Sequence, residues 1–191
     1  MHVYLHVPFC ARRCSYCDFA IAVRKASPDA DFLDALRVEW RTRRALPAWD
    51  VWPTISTLYF GGGTPSRLEG ETIARLIQMI TADRPLAADA EVTLEANPDD
   101  VTPDRANAWR EAGVNRISLG VQSHEPSVLE WMHRTHTAQQ VPFAVSILRN
   151  AGFDNISMDL IFGVPVALRR DWLRDFDLTL ELEPTHISLY G

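Results

Sequence analysis

An α/β fold built on a parallel sheet is predicted by two features of the sequence. Six short apolar or alternating runs recur along the chain, and amphipathic segments of helix length separate them. Composition adds a third: 47% of the 191 residues are hydrophobic and 23% charged, enough apolar material for one sizeable core. No repeat, linker or low-complexity stretch interrupts the chain, so a single domain is expected over residues 1–191.

The elements follow in order. Residues 3–7 form the first predicted strand, and 28–46 a helix with Ser27 as N-cap, Pro28 in its first turn and Phe32, Leu36 and Trp40 on its apolar face. A second strand over 55–60 runs into Gly61-Gly62-Gly63, and a helix over 71–82 carries Ile73, Leu76, Ile77 and Ile80 at helical spacing. The third strand covers 91–95. A helix over 103–112 stops at Gly113, the fourth strand covers 116–121, and helical stretches lie near 126–132 and 137–150. The fifth strand spans 156–162, a helix 171–182, and the last strand 186–190. A parallel strand is normally covered by the helix of its crossover, so the expectation is a domain truncated after strand six, with the C-terminal part of a longer protein absent. Periodicity alone leaves open whether the units curl into a barrel or form a doubly wound sheet.

With 25 Asp and Glu against 19 Lys and Arg, the net charge of −6 argues against a nucleic-acid partner. No apolar run reaches the length of a membrane span and the N-terminus lacks a signal-peptide pattern, which predicts a cytoplasmic protein. The three cysteines, Cys10, Cys14 and Cys17, fall within eight residues directly after the first strand. They are too few and too local for a disulfide framework and read as metal ligands. Three thiolates on one loop suit a cubane iron-sulfur cluster with one open iron. A structural zinc ion with His2 or His6 as fourth ligand is the other reading. The glycine run reads either as a tight strand-to-helix turn or as a place where a ligand meets free backbone amides. Glu95, Gln122 and Asp159, at or near strand ends, point towards the mouth of a barrel. Trp40, Trp109 and Trp172 are expected to pack in the core, and Asp99-Asp100 to form a solvated turn. None of the six histidines is assigned a role.

The pattern CxxxCxxC after the first strand, with Tyr16 inside it and Gly61-Gly62-Gly63-Thr64-Pro65 after the second strand, resembles the radical SAM superfamily. More narrowly, the segments YLHVPFCARRCSYCDF, YFGGGTPS, LEANPDD, NRISLGVQS, HRTHTAQQ and SMDLIFGVP are similar, in order, to the oxygen-independent coproporphyrinogen III oxidases and the related HemW-type heme chaperones. The resemblance implies a partial (β/α)6 TIM-like barrel, a 4Fe-4S cluster on the three cysteines, and S-adenosylmethionine (S-adenosyl-L-methionine) on its open iron. It carries cofactor contacts onto Tyr4, Tyr16, Gly62, Gly63, Thr64, Glu95, Gln122, Arg134 and Asp159, with Arg134 suited to a carboxylate. The implied chemistry is one-electron cleavage of S-adenosylmethionine to a 5′-deoxyadenosyl radical, supplied by the cofactor.

The branch turns on one position. The oxidases resemble CxxxCxxCxC, whereas Asp18-Phe19 follows Cys17 here, closer to the heme chaperones. That branch implies heme as a ligand, a heme-acceptor protein and an electron donor for the cluster. The alternative is the oxidase, a coproporphyrinogen dehydrogenase-type oxidoreductase acting on a porphyrinogen; a plain iron-sulfur or zinc protein is a third reading. Whether the chain is an enzyme depends on that choice.

Overall fold

The computed structural model describes the backbone of residues 1–191 and every side chain except that of residue 48. The six expected strands are present: β1 (His2–Val7), then, after two short strands β2 (Phe9–Cys10) and β3 (Ala22–Val23), β4 (Ile55–Gly62), β5 (Leu86–Ala96), β6 (Arg116–Gln122), β7 (Asn155–Ile161) and β8 (His186–Tyr190). The helices between them are α1 (Asp29–Arg43), α2 (Gly70–Thr81), α3 (Pro103–Glu111), α4 (Pro126–Trp131), α5 (Gln140–Asn150) and α6 (Trp172–Leu180).

The sheet order β1-β4-β5-β6-β7-β8 is the order of the sequence, and every pairing is parallel. A doubly wound sheet reverses direction at a switch point; an unbroken order with right-handed crossovers puts all helices on one face and curls the sheet. Periodicity had left this choice open, and the strand order decides it for a partial barrel, consistent with the structural match reported below.

Alternation along the strands separates the two faces. Leu5 and Val7, Leu58 and Phe60, Val92 and Leu94, Ile117 and Leu119, and Ile156, Met158 and Leu160 point outwards into one core with Leu33, Ile73, Leu76, Ile80, Trp109 and Leu148 from the helices. Each such side chain contributes about 1.5–3 kcal/mol on burial. The inner face instead carries Glu95, Ser118, Gln122 and Asp159, so the barrel interior is polar and lines a cavity.

Three local expectations are corrected. Pro28, not Ser27, holds the cap position of α1, and the Ser27 hydroxyl donates to the Arg67 carbonyl at 3.4 Å, tying the loop instead of the helix. Strand β5 begins at Leu86, five residues early, because the backbone of Leu86 pairs with Ile55 across a bulge. Asp100 is not in a solvated turn: it accepts from the Ser66 hydroxyl at 2.7 Å and faces Arg105, and burial pushes its pKa up. Strands β2 and β3 pair in parallel, Phe9 with Ala22 and Cys10 with Val23, and clasp the base of the cysteine loop.

The ends of β6 and β7 part at a register shift between Leu119 and Gln122. Arg170 bridges the gap. Its guanidinium donates to the Ile161 carbonyl and, at 3.2 Å, to the Gln122 carbonyl, while its Nε donates to Asp175 Oδ2 at 2.6 Å. Asp175, on α6, also accepts from the Ser123 hydroxyl at 2.5 Å and the His124 amide at 3.0 Å.

Candidate cluster and cofactor site

The C-terminal ends of the strands surround a cavity of about 400 Å³. Cys10, Cys14 and Cys17 lie on one side of it, with Tyr16; Gly62, Gly63, Thr64, Glu95, Gln122, Arg134 and Asp159 complete the wall. The site therefore gathers residues from six separate segments. Of the cluster and cofactor residues that the resemblance implies, Tyr4 alone is not among the lining residues: it is exposed on β1, stacked on Tyr59 at 6.0 Å, with its hydroxyl 3.2 Å from His6 Nδ1.

One cation stands directly beside the thiols. Arg134 reaches over them, with one terminal nitrogen 3.8 Å from Cys14 Sγ and 3.3 Å from the Tyr16 hydroxyl, and the other donating to Asn97 Oδ1 at 2.6 Å and the Gly120 carbonyl at 3.0 Å. Burial opposes its charge, but Tyr16 and Cys14 outweigh that and push its pKa up. Both terminal nitrogens are committed, so the bidentate carboxylate contact expected of Arg134 is not free; its buried Nε lacks a partner. Burial pushes the Tyr16 phenol up to about 12. Burial also raises the Cys10 thiol, the Thr64 hydroxyl opposing this by donating to its sulfur at 3.4 Å.

The glycine turn behaves differently from the expectation of free amides. The Gly62 N–H donates to Glu95 Oε2 at 3.0 Å and the Gly63 N–H to the Val7 carbonyl at 2.8 Å, because β1 and β5 flank the turn closely enough to claim both. Glycine is nonetheless required. Gly62 has φ +116° and a Cβ there would lie 2.5 Å from the His6 ring, while one on Gly63 would lie 3.0 Å from Cys10 Sγ.

Glu95 is held from two sides, since the Tyr59 hydroxyl donates to its other oxygen at 2.8 Å. Burial raises its pKa, and the negative Asp159 across the cavity adds to this. Asp159 is raised by burial as well, against hydrogen bonds from Ser188 and Ser118, the latter at 3.0 Å. Two carboxylates facing one cavity in this state favour a cationic ligand between them. Tyr59, Asn97 and Ser118 were not singled out in the sequence; the alternation that places Glu95 inward also places Tyr59 and Ser118 there, a signal open to use.

The donor set separates the two metal readings. Both ring nitrogens of His6 are engaged, by Tyr4 and by the Ala20 carbonyl at 3.0 Å, and His2 Nδ1 lies 2.9 Å from the Thr57 hydroxyl, so neither is poised as a fourth zinc ligand. Among the described residues, no three His, Cys, Asp or Glu side chains converge to hold a single metal ion. A cubane takes each thiolate at a separate iron, and three thiols on one cavity wall beside a cationic arginine fit that need.

Comparison with known proteins decides the family. The profile of the radical SAM superfamily matches residues 4–179. The chain belongs to the radical SAM superfamily. This family implies a 4Fe-4S cluster and S-adenosylmethionine, and the residues around the cavity fit both. The heme chaperone HemW of Mycobacterium tuberculosis is 42% identical over 99% of this chain and 48% of its own length. HemW of Escherichia coli is 36% identical over 100% of this chain and 50% of its own length. The solved structure of coproporphyrinogen III oxidase (HemN), a radical SAM enzyme of Escherichia coli, superposes with a TM-score of 0.82 at 29% identity, over 100% of this chain and 44% of that one. The chain thus spans about half the length of the curated relatives it matches. Among the described residues, no helix is long and apolar enough to cross a membrane.

A titration prediction follows from His136, which is 3% exposed and has Nε2 3.1 Å from the Val121 carbonyl. Burial lowers its pKa from 6.5 to about 4. The unfolded chain therefore binds an extra proton between those values, so this group's contribution is present above pH 6.5 and is lost as pH falls towards 4. We expect His136→Gln to flatten that part of the stability profile, read from urea midpoints at several pH values. An unchanged profile would show that His136 does not couple folding to pH.

Proposed function

We propose that the protein is a heme chaperone of the HemW type. On this reading residues 1–191 are its radical SAM core domain, with Cys10, Cys14 and Cys17 holding the cluster. Tyr16, Gly62, Gly63, Thr64, Glu95, Gln122, Arg134 and Asp159 contact or frame S-adenosylmethionine, and Tyr4 acts only through Tyr59, on which it stacks. The observation that carries the proposal is the 42% identity to a protein named heme chaperone over nearly the whole chain. Phe19 supports it: at the position where the oxidases resemble a further cysteine, an apolar ring, 62% exposed, lines the cavity.

The bound cluster and S-adenosylmethionine would supply one-electron cleavage of a carbon-sulfur bond. The chain's own residues do the rest. Glu95, clamped by Tyr59 and Gly62, and Asp159 present negative charge to the ammonium and sulfonium groups of the cofactor. Arg134 fixes Tyr16 and the cysteine loop against Gly120 and Asn97. Heme is the cargo, delivered in the cytoplasm to an acceptor protein, with a separate electron donor reducing the cluster.

The 0.82 TM-score to HemN favours a second reading, the oxidative decarboxylation of coproporphyrinogen III. One experiment separates them: anaerobic incubation of the cluster-loaded protein with coproporphyrinogen III, S-adenosylmethionine and a reductant, followed by mass spectrometry. Unchanged porphyrinogen, with hemin retained through gel filtration, is the expected outcome. Loss of two carboxyl groups would make the protein the oxidase.

A further inference from the structure

The structure separates the histidines by what their rings touch. His2 meets Thr57, His6 meets Tyr4 and Ala20, His124 meets Thr179, and His136 is buried against Val121. His186 opens β8, at the end of the sheet away from the cavity mouth. His133 differs from all of these. It is exposed, it is the only histidine lining the cavity among the described residues, and its ring has no hydrogen-bond partner there.

Its backbone is as informative as its position. His133 follows α4 with φ +57°, while its N–H bonds to the Glu130 carbonyl at 3.0 Å and the next N–H, of Arg134, reaches back to Leu129 at 2.9 Å. This helix ending is one that glycine takes without strain and that a side chain with a Cβ opposes. A strained residue at a cavity mouth is a mark of a functional position. Around the same mouth stand Phe19, 62% exposed, Tyr190, 55% exposed, and Ile21, with Arg12 beside them. Flat apolar walls, a cation and one free imidazole match an iron macrocycle bearing carboxylates.

We propose that His133 is the axial ligand of a heme iron bound across the mouth of this cavity. The proposal rests on the heme-chaperone reading and places the cargo on residues 1–191. Ligation uses the lone pair of a neutral imidazole nitrogen and transfers no electron or proton to the iron.

The test is hemin titration of the cluster-loaded protein, followed by its visible spectrum. His133→Gly removes the imidazole and relieves the strained backbone, so it should raise the thermal midpoint by about 2–4 °C instead of unfolding the protein. We expect hemin affinity to fall at least tenfold, the imidazole-ligated spectrum to disappear, and free imidazole to restore it, with iron and sulfide content of the cluster unchanged. His133→Asn, which tolerates the same backbone conformation, should behave alike. If the unsubstituted protein binds hemin and His133→Gly keeps its affinity and spectrum, the ligand assignment is overturned while the chaperone reading stands. A loss that imidazole fails to restore overturns it too. If the unsubstituted protein binds no hemin, both fall together.

Discussion

Replacing Cys14 with alanine is expected to abolish cluster binding, with iron and sulfide content falling to background and the visible charge-transfer absorbance lost after anaerobic reconstitution. A cubane anchored through three corners has no spare protein ligand, and the histidines nearest in sequence are engaged elsewhere. The variant also removes the sulfur 3.8 Å from Arg134 and leaves Tyr16 as that arginine's contact on the cysteine loop. Binding of S-adenosylmethionine, measured calorimetrically, should weaken in parallel, because the open iron is gone. Full cluster content in the variant would show that Cys14 is not a ligand.

Replacing Asp175 with alanine is expected to cost about 3–5 kcal/mol of stability, the range for breaking one partner of a buried ion pair. The Arg170 and Asp175 side chains are 3% and 4% exposed. Without the carboxylate, a buried guanidinium over the Trp172 ring loses its counter-charge, and the Ser123 hydroxyl and His124 amide lose their acceptor. Asp175→Asn keeps one acceptor oxygen and should fall between the two. The check is urea denaturation, with a lowered midpoint at constant slope. A loss below about 1 kcal/mol would mean that water replaces the carboxylate.

The strands were legible because a parallel sheet needs compact runs of apolar residues, which Leu58 and Phe60, and Ile117, Leu119 and Val121, supply. The cysteine loop was legible from spacing alone. What escaped depended on distant partners. Phe9–Cys10 and Ala22–Val23 are too short to show a period, so their pairing is invisible without coordinates. The amides of Gly62 and Gly63 read as free until Glu95 and Val7 arrived beside them. Arg134 was expected to meet a carboxylate and Asp100 reads as a surface charge, and only the fold brings Tyr16 and Asn97 to one and Ser66 to the other. Asp175 lies in a helix whose visible signal is its apolar stripe, and nothing local marks it as the counter-ion of Arg170.

The clasp of β2 on β3 has a consequence for the order in which the protein is made. By pinning Cys10 beside Val23, it closes the loop carrying Cys14 and Cys17 through backbone pairing alone. The entropy of gathering the three thiols is then met by backbone hydrogen bonds: Ala22 donates to Pro8 at 2.7 Å and Arg24 to Cys10 at 2.9 Å. In small zinc domains the metal itself supplies this free energy, and the chain collapses into shape only around it. The clasp predicts the opposite order here: protein prepared without iron should already show its native circular-dichroism spectrum, and a spectrum that appears only on reconstitution would refute this.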